Sequence, residues 1–132
     1  MTTREKGDIS EATLIAAFLR NGYIVLRPFS DSLRYDVVID RGNGFERVQC
    51  KTGRLQKGAV VFRASSLGQF DGKSYHSYRG EIELFGIYCP ELNQCFLVSV
   101  HEVSKTVGSL RLTATKNGQQ KGVKFAKDFL LM

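Results

Sequence analysis

The segment from Tyr35 to Thr52 constrains the fold more than any other part of the chain. Tyr35 to Asp40 contains the apolar run Val37-Val38-Ile39, Arg41-Gly42-Asn43-Gly44 is a turn sequence, and Phe45 to Thr52 alternates apolar and polar residues. Two strand-like runs around a Gly- and Asn-rich turn predict a β-hairpin. Because side chains alternate across a strand, Gln49 and Lys51 share one face, with Arg47 beside them, while Val48 and Cys50 turn to the other. On the preceding strand Asp36 and Val38 share a face, and Tyr35, Val37 and Ile39 take the opposite one. Asp36 is then a carboxylate in an apolar setting, on a strand paired with the one bearing Gln49 and Lys51. An uncompensated buried carboxylate is costly, so a divalent cation, the Lys51 ammonium or both must balance it.

The remaining chain supplies one helix and several more strands. Ser10 reads as an N-cap, Glu11 to Arg20 as an amphipathic helix with Ala12, Ile15, Ala16 and Leu19 on one stripe, and Asn21-Gly22 as its stop. Tyr23 to Leu26 reads as a strand closed by Pro28, and Gly58 to Arg63 as another. Ala64 to Gly80, rich in Ser, Gly, Tyr and Lys, reads as a loop or short helical connector. Ile82 to Tyr88 and Cys95 to Val100, joined by Pro90 to Gln94, form a second expected hairpin, with a further strand at Leu110 to Ala114. Lys116 to Gly122 reads as a basic loop, and Phe129-Leu130-Leu131-Met132 as an apolar ending suited to burial or to a partner. With no repeat or long linker, residues 1–132 are expected to form one domain of mixed α/β class.

Composition narrows the function classes. At 132 residues and 42% apolar, the chain can bury a core without covalent staples. Its cysteines, Cys50, Cys89 and Cys95, are odd in number and lack CxxC spacing, which argues against a disulfide framework or a structural zinc site. The polar N-terminus and the short apolar run Leu14 to Leu19 predict no signal peptide and no membrane span, so a cytoplasmic location is expected. A formal charge of +6 favours polyanionic partners. Much of it lies late in the chain, where Lys105, Arg111, Lys116, Lys121, Lys124 and Lys127 face the single acid Asp128 between Val103 and Met132.

Glu11 adds an acid to the hairpin cluster, since with Ile15 and Phe18 it follows the spacing of a helix face directed partly inward. An acid on a helix, an aspartate on a strand and a polar-x-Lys unit on the paired strand therefore occur in that order. In this order and context the sequence resembles the PD-(D/E)XK nuclease superfamily. The runs Gly7-Asp8-Ile9-Ser10-Glu11-Ala12, Arg34-Tyr35-Asp36 and Val48-Gln49-Cys50-Lys51-Thr52 are most similar to the branch of group I intron-encoded homing endonucleases, which also resembles archaeal Holliday-junction resolvases. The Leu112 to Gly122 segment is similar to that branch too. Two positions depart from the pattern: Gln49 stands where most members have Glu or Asp, and Tyr35 where proline usually precedes the aspartate.

The resemblance implies a restriction-endonuclease-like core with an N-terminal helix, a central mixed β-sheet and an extra β-hairpin. It implies a DNA endonuclease in which Asp36, Gln49, the backbone carbonyl of Cys50 and Glu11 hold Mg²⁺, with Mn²⁺ a possible substitute, and Lys51 serves the attacking water. A glutamine oxygen suits such a hard cation. Phosphate contacts are expected from Arg34, Arg47, Lys57, Lys73, Arg79, Lys116, Lys121 and Lys124. Phe70, Tyr75 and Tyr78 are candidates to stack or to pack, with packing the expectation, and the Gly80 to Val100 hairpin is a candidate to enter a groove. Cutting both strands implies a homodimer or homotetramer. A resolvase-like nuclease and a DNA-binding module without turnover are the alternatives, with a basic RNA-associated domain a third.

Overall fold

A computed structural model of the chain describes residues 1–67, 74–114, 117–118 and 121–132. Helix α1 (Thr3–Arg20) is followed by β1 (Ile24–Leu26), β2 (Val37–Asp40), β3 (Phe45–Thr52), β4 (Arg54–Gln56), β5 (Ala59–Arg63), β6 (Ser65–Leu67), β7 (Tyr75–Ser77), β8 (Leu84–Cys89), β9 (Gln94–Ser99) and β10 (Val107–Arg111). Short 3₁₀ turns occupy Val100–Glu102 and Ala126–Asp128. The expected mixed α/β arrangement is present. A five-stranded sheet in the order β1-β2-β3-β8-β9 is antiparallel throughout except where β3 meets β8 in parallel. No helix of the described residues is long and apolar enough to cross a membrane.

The predicted hairpin forms with Val37 opposite Val48 and Asp40 opposite Phe45. Val37, Ile39 and Val48 are fully buried against α1, in a cluster with Leu14, Ala17, Phe18, Leu84 and Cys95. On the other face Phe85, Ile87, Phe96 and Val98 pack against Val60, Phe62 and Leu110 of a second sheet, ordered β10-β5-β4. The chain passes from the first sheet into the second at Gly53. A Cβ there would lie 2.7 Å from Val60 Cγ1 and 2.8 Å from Ile87 Cγ2, so only glycine lets β3 cross so closely under β5 and β8. The strand that carries Gln49 and Lys51 is thereby fixed between two cores.

Several expectations need correction. Helix α1 begins two turns earlier than Ser10, because Thr2 caps it and Thr2 and Glu5 form a capping box. Ser10 is consequently interior and 1% exposed. The buried stripe is Ser10, Leu14, Ala17 and Phe18, whereas Ala12 is exposed and Leu19 is 57% exposed. Part of Ala64 to Gly80 is a small antiparallel pair, with Ser65 opposite Ser77 and Leu67 opposite Tyr75. The connection holding Phe70 and Lys73 lies outside the described residues. The last strand runs from Val107 to Arg111, earlier than Leu110 to Ala114. The second hairpin, β8 and β9, is built as expected, but it forms the middle of the core and is no projecting arm for a groove.

The apolar ending lies along β9: Leu97 and Cys95 donate to the carbonyls of Phe129 and Met132 at 2.9 and 2.7 Å, and Leu131 N–H returns to Cys95 at 2.8 Å. It therefore covers a sheet edge that would otherwise expose unpaired backbone groups. Phe129 and Leu131 pack against the two cores, while Leu130 and Met132 stay exposed. All cysteines are free thiols, with Cys89 and Cys95 buried as expected of small hydrophobes.

One polar contact ties the helix to the end of β3. The buried Ser10 hydroxyl is hydrogen-bonded to that of Thr52. Ser10→Ala is expected to lower stability by about 1 kcal/mol, since it strands a half-buried hydroxyl. Urea unfolding reads this, and an unchanged midpoint would show that the bond contributes nothing.

Candidate active site

Asp36 stands one residue before β2, where pairing with β3 continues. Its N–H donates to the Val48 carbonyl at 2.9 Å, and its Oδ2 accepts from the Cys50 N–H at 2.8 Å. Backbone and side chain of Asp36 are thus both held by the strand that presents Gln49 and Lys51. Those two residues are half-buried and, by alternation, lie on the face opposite Val48. Lys51 Nζ donates to the hydroxyl of Tyr78 at 3.1 Å.

The electrostatics bring Glu11 into the same group. Burial pushes the Asp36 carboxyl above its ordinary pKa, against the opposing effects of the Cys50 N–H and the Lys51 and Arg27 charges. Glu11 is raised as well, first by burial and then by the negative charge of Asp36, with Arg27 pulling it down. Arg27 Nη2 lies 3.8 Å from Glu11 Oε1. The Cys50 thiol is pushed well above its usual value by burial, then by Asp36 and Glu11. It therefore stays protonated, and only its backbone carbonyl is suited to a hard cation.

The donor set fits a divalent cation of the Mg²⁺ type. Burial raises the proton affinity of Asp36, burial and the Asp36 charge raise that of Glu11, the half-buried amide of Gln49 follows on the paired strand, and all these donors are oxygen. Among the described residues no three His, Cys, Asp or Glu side chains converge as a metal cluster.

Among the expected phosphate contacts, Arg34, Arg47, Arg79 and Lys124 bind other residues of the fold. Arg47 holds Glu83 with both ends of its guanidinium, Nε lying 3.0 Å from Oε1, and the pairing lowers the Glu83 pKa. Arg34 Nη2 donates to the carbonyls of His76 and Ser77 at 3.2 and 3.3 Å. Arg79 donates to Val103 at 2.9 Å, and Lys124 pairs with Glu102 at 2.7 Å. Lys57 and Lys121 are exposed, while Lys73 and Lys116 lie outside the described residues. Sequence reasoning missed Arg27 and Glu83, and it read Tyr78 as a residue that stacks or packs, not as a partner of Lys51. The partners of Glu83 and Tyr78 lie 36 and 27 residues away, beyond any local pattern.

No curated protein matches the chain. Its fold is similar to that of a bacterial homing endonuclease, I-Ssp6803I, with a TM-score of 0.77 and 22% identity over 98% of this chain and 89% of that one. At that identity the likeness speaks for the fold alone. The PD-(D/E)XK endonuclease family matches residues 1–132. Matched along this whole span, and folded around an aspartate just ahead of β2 that is hydrogen-bonded to the Lys51-bearing strand β3, the chain belongs to the PD-(D/E)XK endonuclease family.

Proposed function

We propose that the chain, acting as one domain, is a Mg²⁺-dependent DNA endonuclease of the homing-endonuclease kind. The observation that carries this reading is the Asp36 carboxylate, held by the Cys50 N–H between Gln49 and Lys51 and sharing its field with Glu11. Asp36, Gln49, the Cys50 carbonyl and Glu11 would hold the ion. When bound, such an ion polarises a phosphoryl oxygen and makes water a better nucleophile at neutral pH.

The residues themselves account for the rest. The Lys51 ammonium places a positive charge where negative charge grows on the phosphate during attack. Asp36 and Gln49 orient the reacting groups from a rigid strand pair, which limits reorganisation. Arg27 tempers the repulsion between Glu11 and Asp36. Exposed bases such as Lys57 and Lys121 would contact backbone phosphates beyond the centre. Since one centre cuts one strand, cleavage of both calls for a homodimer or homotetramer.

The neutral Gln49 favours a second reading, a DNA-binding module with the nuclease fold and no turnover. Long duplex DNA and a four-way junction, incubated with the protein in Mg²⁺ or Mn²⁺ beside Asp36→Asn and Lys51→Ala, separate the two. Each substitution is expected to slow cleavage on the order of 10²-fold or more. Cleavage that survives both would overturn the site. Binding without cleavage by the wild type would leave the module, and symmetric cutting confined to junctions would identify a resolvase.

A further inference from the structure

Tyr78 lies just beyond β7 and is 5% exposed. Its ring meets Phe85 edge-on, with centroids 5.6 Å apart, so the core sets its position. The Arg34 guanidinium carbon stands 4.0 Å from the ring centroid, and the same Arg34 grips β7 through the carbonyls of His76 and Ser77. At the phenol end, Lys51 Nζ donates to the hydroxyl at 3.1 Å and lies 4.8 Å from the centroid. Two cations, one two residues before Asp36 and the other on the catalytic strand, thus converge on one buried ring.

We propose that Tyr78 is a positioning residue, which anchors the Lys51 ammonium beside Asp36 and Gln49 and is itself held in place by Arg34. The proposal rests on the reading of Lys51 given above. A lysine is a point charge on a flexible stem, and neither the stem nor the sheet fixes where that charge sits. The phenol does so twice, by accepting a hydrogen bond and by presenting the electron-rich face of its ring. One N–H given to Tyr78 leaves two for substrate and water. Packing alone would be served by phenylalanine, so the hydroxyl is the part that distinguishes anchoring from filling. Arg34 belongs to this anchor before it belongs to any phosphate, because its guanidinium already serves the ring and two carbonyls.

The test is Tyr78→Phe, which keeps the ring and removes the acceptor. We expect kcat for DNA cleavage to fall on the order of 10-fold with an unchanged Kd for DNA and an unchanged melting temperature. In a Lys51→Met background the same change should have no further effect, since the anchor then has nothing to hold. A wild-type kcat in Tyr78→Phe overturns the proposal, as does an equal loss in the Lys51→Met background. A second readout needs no cleavage. In ¹⁵N-lysine-labelled protein, a Lys51 ammonium signal protected from exchange is expected in the wild type and should vanish in Tyr78→Phe. A signal unaffected by the substitution overturns the anchor. A wild type that cuts no DNA, yet loses the signal on substitution, overturns the nuclease reading and leaves the anchor standing.

Discussion

Asp36→Asn is expected to slow cleavage sharply and, at neutral pH without divalent cations, to melt a few degrees above the wild type. The first effect, about 10²-fold or more, follows from loss of the charge that would hold the ion. The second follows from the direction of the pKa shifts. Burial raises the Asp36 carboxyl, and the Asp36 charge raises Glu11 in turn. For a carboxyl whose folded pKa is raised, stability is complete below the ordinary carboxylate value of about 4, where the group is neutral folded or unfolded. As pH rises, the unfolded chain ionises first, and the stability is lost through the folded pKa. Asparagine never ionises, and its side-chain oxygen can still accept the Cys50 N–H.

The advantage of Asp36→Asn should therefore be present at neutral pH and disappear in acid as Asp36 is protonated. Mg²⁺ should reverse the order, since an ion that binds only the folded wild type stabilises it by mass action. Thermal melts across pH, with and without Mg²⁺, read both signs. A variant that melts below the wild type at neutral pH without metal would show that Asp36 contributes to folding rather than working against it. The expected pattern is the usual exchange of stability for function at a charged site.

The parts of this site that sequence exposes are those set by local period. Alternation along Phe45 to Thr52 and the Gly42-Asn43-Gly44 turn fix which residues of β3 accompany Asp36, and the register is that of the expected hairpin. The second hairpin was legible for the same reason. The start of α1 was not, because Gly7 and a polar first half mask a helix whose apolar stripe begins only at Leu14. The Thr2 and Glu5 pair was its one visible signal. β6 and β7 carry serines and tyrosine in place of an apolar alternation, and their pairing spans residues that no local pattern relates. The roles of Arg27, Glu83 and Tyr78 depend on tertiary contact: each meets a residue that is remote in the chain and adjacent only once the layers stack.

Gly108→Ala is expected to be the most disruptive single-methyl substitution in the second sheet. Gly108 is the second residue of β10, directly opposite Phe62 on β5. A strand glycine ordinarily weakens a sheet, having no side chain to pack. Here the Phe62 ring occupies the vacant place: a Cβ at Gly108 would lie 2.1 Å from Cζ and 2.4 Å from Cε1. The ring cannot easily retreat, since Phe62 is fully buried and meets Phe85 edge-on at 5.5 Å, and Phe85 supports Tyr78 at 5.6 Å. Overpacking of this kind costs about 1–3 kcal/mol and sometimes more, and the upper end is expected because both neighbours are aromatic. The same chain of rings should carry the disturbance to Lys51, so any folded Gly108→Ala protein is expected to lose cleavage rate as well as stability. Phe62→Leu in the same molecule removes the atoms that clash and should restore part of the stability. If chemical denaturation finds Gly108→Ala as stable as the wild type, the ring does not fill the glycine's place. If Phe62→Leu gives no rescue, the damage lies in the backbone of β10 rather than in the contact between the two strands.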